Sequence, residues 1–149
     1  MNSEVQRVTL SLPASAEYVD IVRLNLYGIA SKMGFSYEEI EDMKVAVSEA
    51  CNNSVLYAYG QKGGMVEVVF EVAGESLSIT VRDEGESFDG VGTAGNRTLH
   101  DKDLNEVQVG GLGFYLMEAL MDEVNVTNVT GKGTVVTLIK RLARSEEHV

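Results

Sequence analysis

The chain has 149 residues, with 12 Lys and Arg against 23 Asp and Glu, a formal net charge of −11, one cysteine, one proline and no tryptophan. Its length fits one domain, since a domain usually takes roughly 100–200 residues, and 44% hydrophobic with 23% charged residues is the balance of a chain that buries a core. A lone cysteine excludes an intramolecular disulfide and a thiolate zinc site. No apolar run reaches the roughly 18 residues of a membrane helix, and the acidic excess repels phosphate backbones and anionic lipid. Neither nucleic acid nor membrane is therefore expected as a direct partner, and the absence of a signal-peptide pattern points to a cytoplasmic protein. A polyphosphate ligand would have to be held by something other than bulk positive charge.

Residues 5–12 place Val8, Leu10 and Leu12 on one side and Thr9 and Ser11 on the other, the period-two pattern of a half-buried strand that Pro13 ends. Across 15–33 the residues Val19, Val22, Leu26, Ile29 and Met33 recur at helical spacing, and Gly34 stands where a helix C-terminus takes a left-handed residue. Ser36 and Glu39 form a capping box for a second helix that runs through Ile40, Met43, Val47 and Cys51 to about Tyr59. Runs 65–73 and 77–81 read as a hairpin around Gly74 and Glu75.

Between Asp83 and Val109 the apolar period collapses into a segment rich in Gly, Asp, Asn and Thr, a length of loop that is usually functional. Gly110, Gly111 and Gly113 introduce a third helix through Leu116, Met117, Leu120 and Met121. Strands at 124–130 and 134–139 close the chain. The order predicts an α+β fold, a mixed, mostly antiparallel sheet covered by helices on one face, in a single domain spanning 1–149.

Four short motifs carry chemistry. Glu49 and Asn53 are four residues apart and share a helix face. The carboxylate can orient or deprotonate a nucleophile and the amide oxygen is a hard ligand for Mg²⁺, although such a pair also occurs on exposed polar faces. Asp83-Glu84-Gly85 directly follows a strand, where a carboxylate can accept from an exocyclic amine and glycine admits a planar ring; the same residues also make ordinary turns. Gly110-Gly111-Leu112-Gly113 opens a helix whose N-terminal N–H groups can bind phosphate without lysine, or serves as a hinge. In Gly131-Lys132-Gly133-Thr134 the threonine hydroxyl stands beside a base, or the segment is a hairpin turn.

In this order the motifs resemble the ATP-binding domain shared by histidine kinases, gyrase-type ATPases, heat-shock chaperones and mismatch-repair ATPases, and most closely the bacterial anti-sigma factor serine kinases of the RsbW and SpoIIAB type. The phrases Val47-Ser-Glu-Ala-Cys-Asn-Asn53, Arg82-Asp-Glu-Gly-Glu-Ser-Phe-Asp89 and Gly110-Gly-Leu-Gly-Phe-Tyr-Leu-Met-Glu118 carry the likeness, which extends from about Val8 to Ile139. It implies a two-layer α/β sandwich of the histidine-kinase-like ATPase fold with an ATP lid at about 86–109. It also implies a protein that sequesters an RNA polymerase sigma factor and uses Mg-ATP to phosphorylate a serine on a STAS-fold antagonist. By position, Glu49 would be the base, Asn53 the Mg²⁺ ligand and Asp83 the acceptor for the adenine amine. Gly85 would admit the ring, Gly110, Gly111 and Gly113 would meet the phosphates, Thr134 would sit near adenine, and Arg23 would contact protein partners.

The likeness further implies a homodimer. Ser87 replaces a glycine that many relatives carry in the first box, and Arg97 and Lys102 are the lid residues able to serve the γ-phosphate. His100 and His148 lie in the lid and tail, so no phosphoacceptor-histidine helix is expected. Two other functions fit the same motifs: a catalytically weak ATP-binding module that captures sigma, and a stressosome-type switch kinase acting on a scaffold protein.

Overall fold

Five strands and three α-helices follow the expected order in the computed structural model, which describes residues 5–55, 64–84, 112–129 and 133–143. Strand β1 is Gln6–Pro13, and helices α1 and α2 are Val19–Met33 and Tyr37–Asn53. Strands β2 and β3 are Met65–Ala73 and Ser76–Asp83, helix α3 is Leu112–Leu120, and strands β4 and β5 are Glu123–Val129 and Gly133–Arg141.

The strands form one sheet in the order β1-β2-β3-β5-β4 with every pairing antiparallel, so the mixed sheet left open by the sequence resolves to a purely antiparallel one. Alternation sorts its faces. Val66, Val68 and Phe70 of β2, Leu77, Ile79 and Val81 of β3, and Val136 and Leu138 of β5 are buried with the inner residues of the helices. The opposite face carries cross-strand ion pairs: Arg7 meets Glu71 at 2.7 Å and Arg82 meets Glu67 at 3.4 Å, each directly opposite its partner in register. At the edge, Val8 is 41% exposed rather than turned fully inward, because β1 has a neighbouring strand on one side only.

Helix α1 starts later than expected, since Ala16–Tyr18 form a 3₁₀ turn ahead of it. It buries Val19, Val22, Leu26 and Ala30 and ends at Gly34, whose φ of 101° is left-handed. The capping box of α2 is present in both halves: Glu39 N–H donates to Ser36 Oγ at 3.1 Å and Ser36 N–H to Glu39 Oε1 at 2.8 Å. The α-helical part of α2 runs to Asn53 and passes into a π turn at Ser54 and Val55; the expected continuation to Tyr59 lies outside the described residues.

Helix α2 packs on both α1 and α3 and touches β3 and β5, which carries its C-terminal end to the ends of those two strands. On α3 the inward positions are Gly113 and Met117, followed by Met121 just beyond it, the i, i+4, i+8 line of one helical face.

Candidate functional site

Asp83 continues the inward parity of Leu77, Ile79 and Val81, so the period that builds the core also turns a carboxylate into it at the strand end. Thr134 does the same on β5 ahead of Val136 and Leu138, and the two residues are register partners. Asp83 is 2% exposed and Thr134 5%. A carboxylate so buried needs donors: Thr134 N–H donates to Asp83 Oδ1 at 3.3 Å, and Ser54 Oγ donates to Asp83 Oδ2 at 2.8 Å. Thr134 Oγ1 is buried and has no hydrogen-bond partner among the described residues.

Gly133 makes this crossing possible. Its φ is 103°, and a Cβ placed on it would lie 2.0 Å from the Asp83 carbonyl oxygen and 2.6 Å from Glu84 Cα. Both obstacles are backbone, so only glycine lets β5 enter here against the end of β3.

Glu49 and Asn53 share a face of α2 as the spacing required, both half-buried, about 6 Å apart along the axis at 1.5 Å per residue. Val45, taken as part of an apolar flank around them, is 43% exposed, whereas Ala46 and Ala50 are buried. The Glu49 side chain lies over Gly113, the second residue of α3, where an added Cβ would stand 2.6 Å from Glu49 Oε1. Glu49 therefore occupies a hollow that exists because α3 has no side chain at that point. Its carboxylate faces the first turn of α3, where backbone N–H groups lack helical partners and favour anions.

Arg23 projects from α1 onto α2, donating from Nη1 to Ser48 Oγ at 2.8 Å and pairing with Asp20 on its own helix. Its side chain remains 37% exposed. It thus sits at the surface beside Ser48, the residue that precedes Glu49. Cys51, one turn beyond, is buried in the core, where desolvation pushes its thiol up to about 12 against a smaller opposing pull from Arg23.

The structure therefore brings Asp83 and Thr134 together and sets Glu49 against Gly113, with Asn53 on the same helix. Gly85, Gly110 and Gly111, and the lid at 86–109 with Arg97, His100 and Lys102, lie outside the described residues. The role of Ser54 was not anticipated. It follows Asn53 directly, and a hydroxyl near the C-terminus of a site-bearing helix was the available clue, but its partner is 29 positions away. Among the described residues no group of three or more His, Cys, Asp or Glu side chains could hold a metal, and no helix is long and apolar enough to cross a membrane.

Comparison with known proteins agrees with this geometry. The family model described as the histidine kinase-like ATPase domain matches residues 12–140. The serine-protein kinase RsbW of Bacillus licheniformis is 44% identical, over 97% of this chain and 91% of its own length. RsbW of Bacillus subtilis is 43% identical over 92% and 88%, and RsbW of Staphylococcus aureus 42% identical over 88% and 85%. Among solved structures, that of the RsbU and RsbW domains of a Mycobacterium tuberculosis protein superposes with a TM-score of 0.67 at 24% identity, covering 93% of this chain and 33% of that one, a likeness of fold. The chain belongs to the histidine kinase-like ATPase family and, within it, to the RsbW group of ATP-dependent serine-protein kinases.

Proposed function

We propose that this kinase is a cytoplasmic, single-domain, homodimeric anti-sigma factor that sequesters an RNA polymerase sigma factor and phosphorylates a serine on a STAS-fold antagonist. In such a switch the unphosphorylated antagonist displaces sigma, and phosphorylation restores the inhibited state. The observation that supports the nucleotide half most strongly is the buried polar cluster of Asp83 and Thr134. A buried hydroxyl without a partner costs about 1–3 kcal/mol, and Thr134 Oγ1 is such a group, which a base or a water carried with it would satisfy.

The residues fit Mg-ATP. Asp83 would accept from the exocyclic amine of adenine, Thr134 would meet the same edge, and Gly85 would leave room for the ring. Asn53 would hold Mg²⁺ through its amide oxygen, and the first turn of α3 with Gly110, Gly111 and Gly113 would receive the phosphates on backbone N–H groups. Bound Mg-ATP supplies the phosphoryl group and local neutralisation of charge, so a chain of net charge −11 needs no basic surface to hold it. Glu49 takes the remaining role: it orients the antagonist's serine hydroxyl and accepts its proton. Arg23, at the surface of α1 beside Ser48, belongs to the face that meets protein partners.

The test is phosphotransfer from Mg-ATP to purified antagonist, with the phosphoserine located by mass spectrometry, in wild type and Glu49→Ala. Loss of a catalytic base lowers turnover by about 10²–10⁴-fold. Full transfer by the variant would remove Glu49 from the base role. Wild-type protein that binds sigma but transfers no phosphate would favour the binding-module function.

A further inference from the structure

Helix α3 buries one face and leaves a second apolar face in the open. Gly113, Met117 and the following Met121 turn inward, yet Leu112 is 52% exposed, Tyr115 62% and Leu116 37%, and Ala119 is exposed as well. These four stand at i, i+3, i+4 and i+7, the spacing of one continuous stripe about 10 Å long at 1.5 Å per residue. Glu118 is the one charged residue between Leu112 and Leu120. Apolar residues exposed singly are ordinary, but a contiguous stripe marks a surface that something covers.

We infer that this stripe is a docking surface for the protein substrate and receives apolar side chains that lie beside the phosphoacceptor serine. This rests on Glu49 being the base in the function proposed above. Leu112 directly precedes Gly113, and a Cβ placed on Gly113 would stand 2.6 Å from Glu49 Oε1, so the stripe begins at the reacting group. A serine that gives its proton to Glu49 comes within roughly 2.6–3.2 Å of that carboxylate. The polypeptide that delivers it therefore passes over the first turn of α3, and its neighbouring side chains meet Leu112, Tyr115 and Leu116. An extended chain rises about 3.3 Å per residue, so the side chains that fill the stripe lie within about three residues of the serine, or beside it on a folded surface. A lipid surface fits less well, because helices that lie on membranes carry Lys or Arg on their polar face, and α3 has neither.

Contacts of this kind hold the substrate equally in the ground state and the transition state, so they lower KM and leave kcat as it is. Tyr115 is the expected centre of the effect, since tyrosine is among the residues on which binding energy concentrates.

The experiment measures initial rates of phosphotransfer from saturating Mg-ATP to a purified STAS-fold antagonist over a range of antagonist concentrations. It compares wild type, Tyr115→Phe, Tyr115→Gln and the double variant Tyr115→Gln/Leu116→Gln, with Mg-ATP affinity by calorimetry, mass by sedimentation and the thermal midpoint recorded for each. Glutamine suits a helix and removes the apolar surface. The double variant is expected to raise KM for the antagonist at least about tenfold, with kcat, Mg-ATP affinity and mass unchanged, and Tyr115→Phe to keep the wild-type KM. Tyr115→Gln alone gives the same readout at smaller amplitude if the double variant does not fold. An unchanged KM would overturn the inference, as would weaker Mg-ATP binding, which assigns the face to the nucleotide site, or a fall in mass, which assigns it to a second copy of the chain. In each of those cases the kinase reading stands. Wild-type protein that transfers no phosphate to the antagonist would overturn the proposed function, and this inference with it.

Discussion

Gly113 and Glu49 are packed so closely that a methyl group on the glycine would stand 2.6 Å from the glutamate carboxylate. The first turn of α3 and the proposed base on α2 are thus in direct steric register, and the position of one sets the position of the other. The atom in the way is the far end of a flexible side chain, so the conflict is relieved by moving the carboxylate rather than the backbone.

Gly113→Ala is therefore expected to fold, with a thermal midpoint near that of wild type, and to transfer phosphate more slowly. A displacement of about 1 Å of a reacting group can cost on the order of 10²-fold. Single-turnover phosphotransfer beside nucleotide affinity separates the effects. If the contact matters, Glu49→Asp, one methylene shorter, should be less harmful in the Gly113→Ala background than in wild type; additive losses would count against steric coupling.

At Gly133 the obstacle is backbone, with the Asp83 carbonyl oxygen 2.0 Å from an added Cβ and φ at 103°. Gly133→Ala should destabilise by more than about 1 kcal/mol and disturb the Asp83 pocket with it. Gly74→Ala is the matched control, because Gly74 has φ of 64° but open space around it. A midpoint shift no larger at Gly133 than at Gly74 would show that the β3–β5 approach has slack.

Cys51 gives a pH dependence with a defined sign. Its thiol ionises near roughly 8.5 in an unfolded chain and is pushed up to about 12 in the fold by burial. Between those values the folded state keeps a proton that the unfolded state sheds, so the contribution is full below the lower value and lost as pH rises toward the upper one. Urea midpoints at pH 8, 9 and 10 should fall more steeply for wild type than for Cys51→Val. Native protein at pH 8 should also resist alkylation by iodoacetamide until unfolded.

The reciprocal bonds of Ser36 and Glu39 satisfy two N–H groups, one of them Ser36's own, at the start of the helix that carries Glu49, Asn53 and Ser54. Ser36→Ala should cost about 1 kcal/mol in denaturant unfolding. Because the cap lies at the opposite end of α2 from those three residues, phosphotransfer measured well below the unfolding transition should not change.

Local structure was readable wherever it depends on near neighbours. The capping box, the left-handed Gly34, the hairpin at Gly74 and the inner stripes of α1 and α2 are relations within a few residues, and the structure contains each of them. The misjudged points depend on surroundings. Val8 is exposed because β1 lies at an edge, and Val45 is exposed on α2 although its neighbours Ala46 and Ala50 are buried.

The site divides in the same way. The Glu49–Asn53 face follows from helical pitch, and the inward turn of Asp83 and Thr134 follows from strand parity; both periods are properties of the backbone and are written locally in the chain. That Asp83 faces Thr134 across 51 positions, receives Ser54 across 29, and leaves Glu49 resting on Gly113 follows from β5, rather than β4, pairing with β3 and from α2 packing against α3. Those choices are made by burial of apolar faces that many pairings could satisfy in part, and only the packed chain selects the one that brings these polar side chains together.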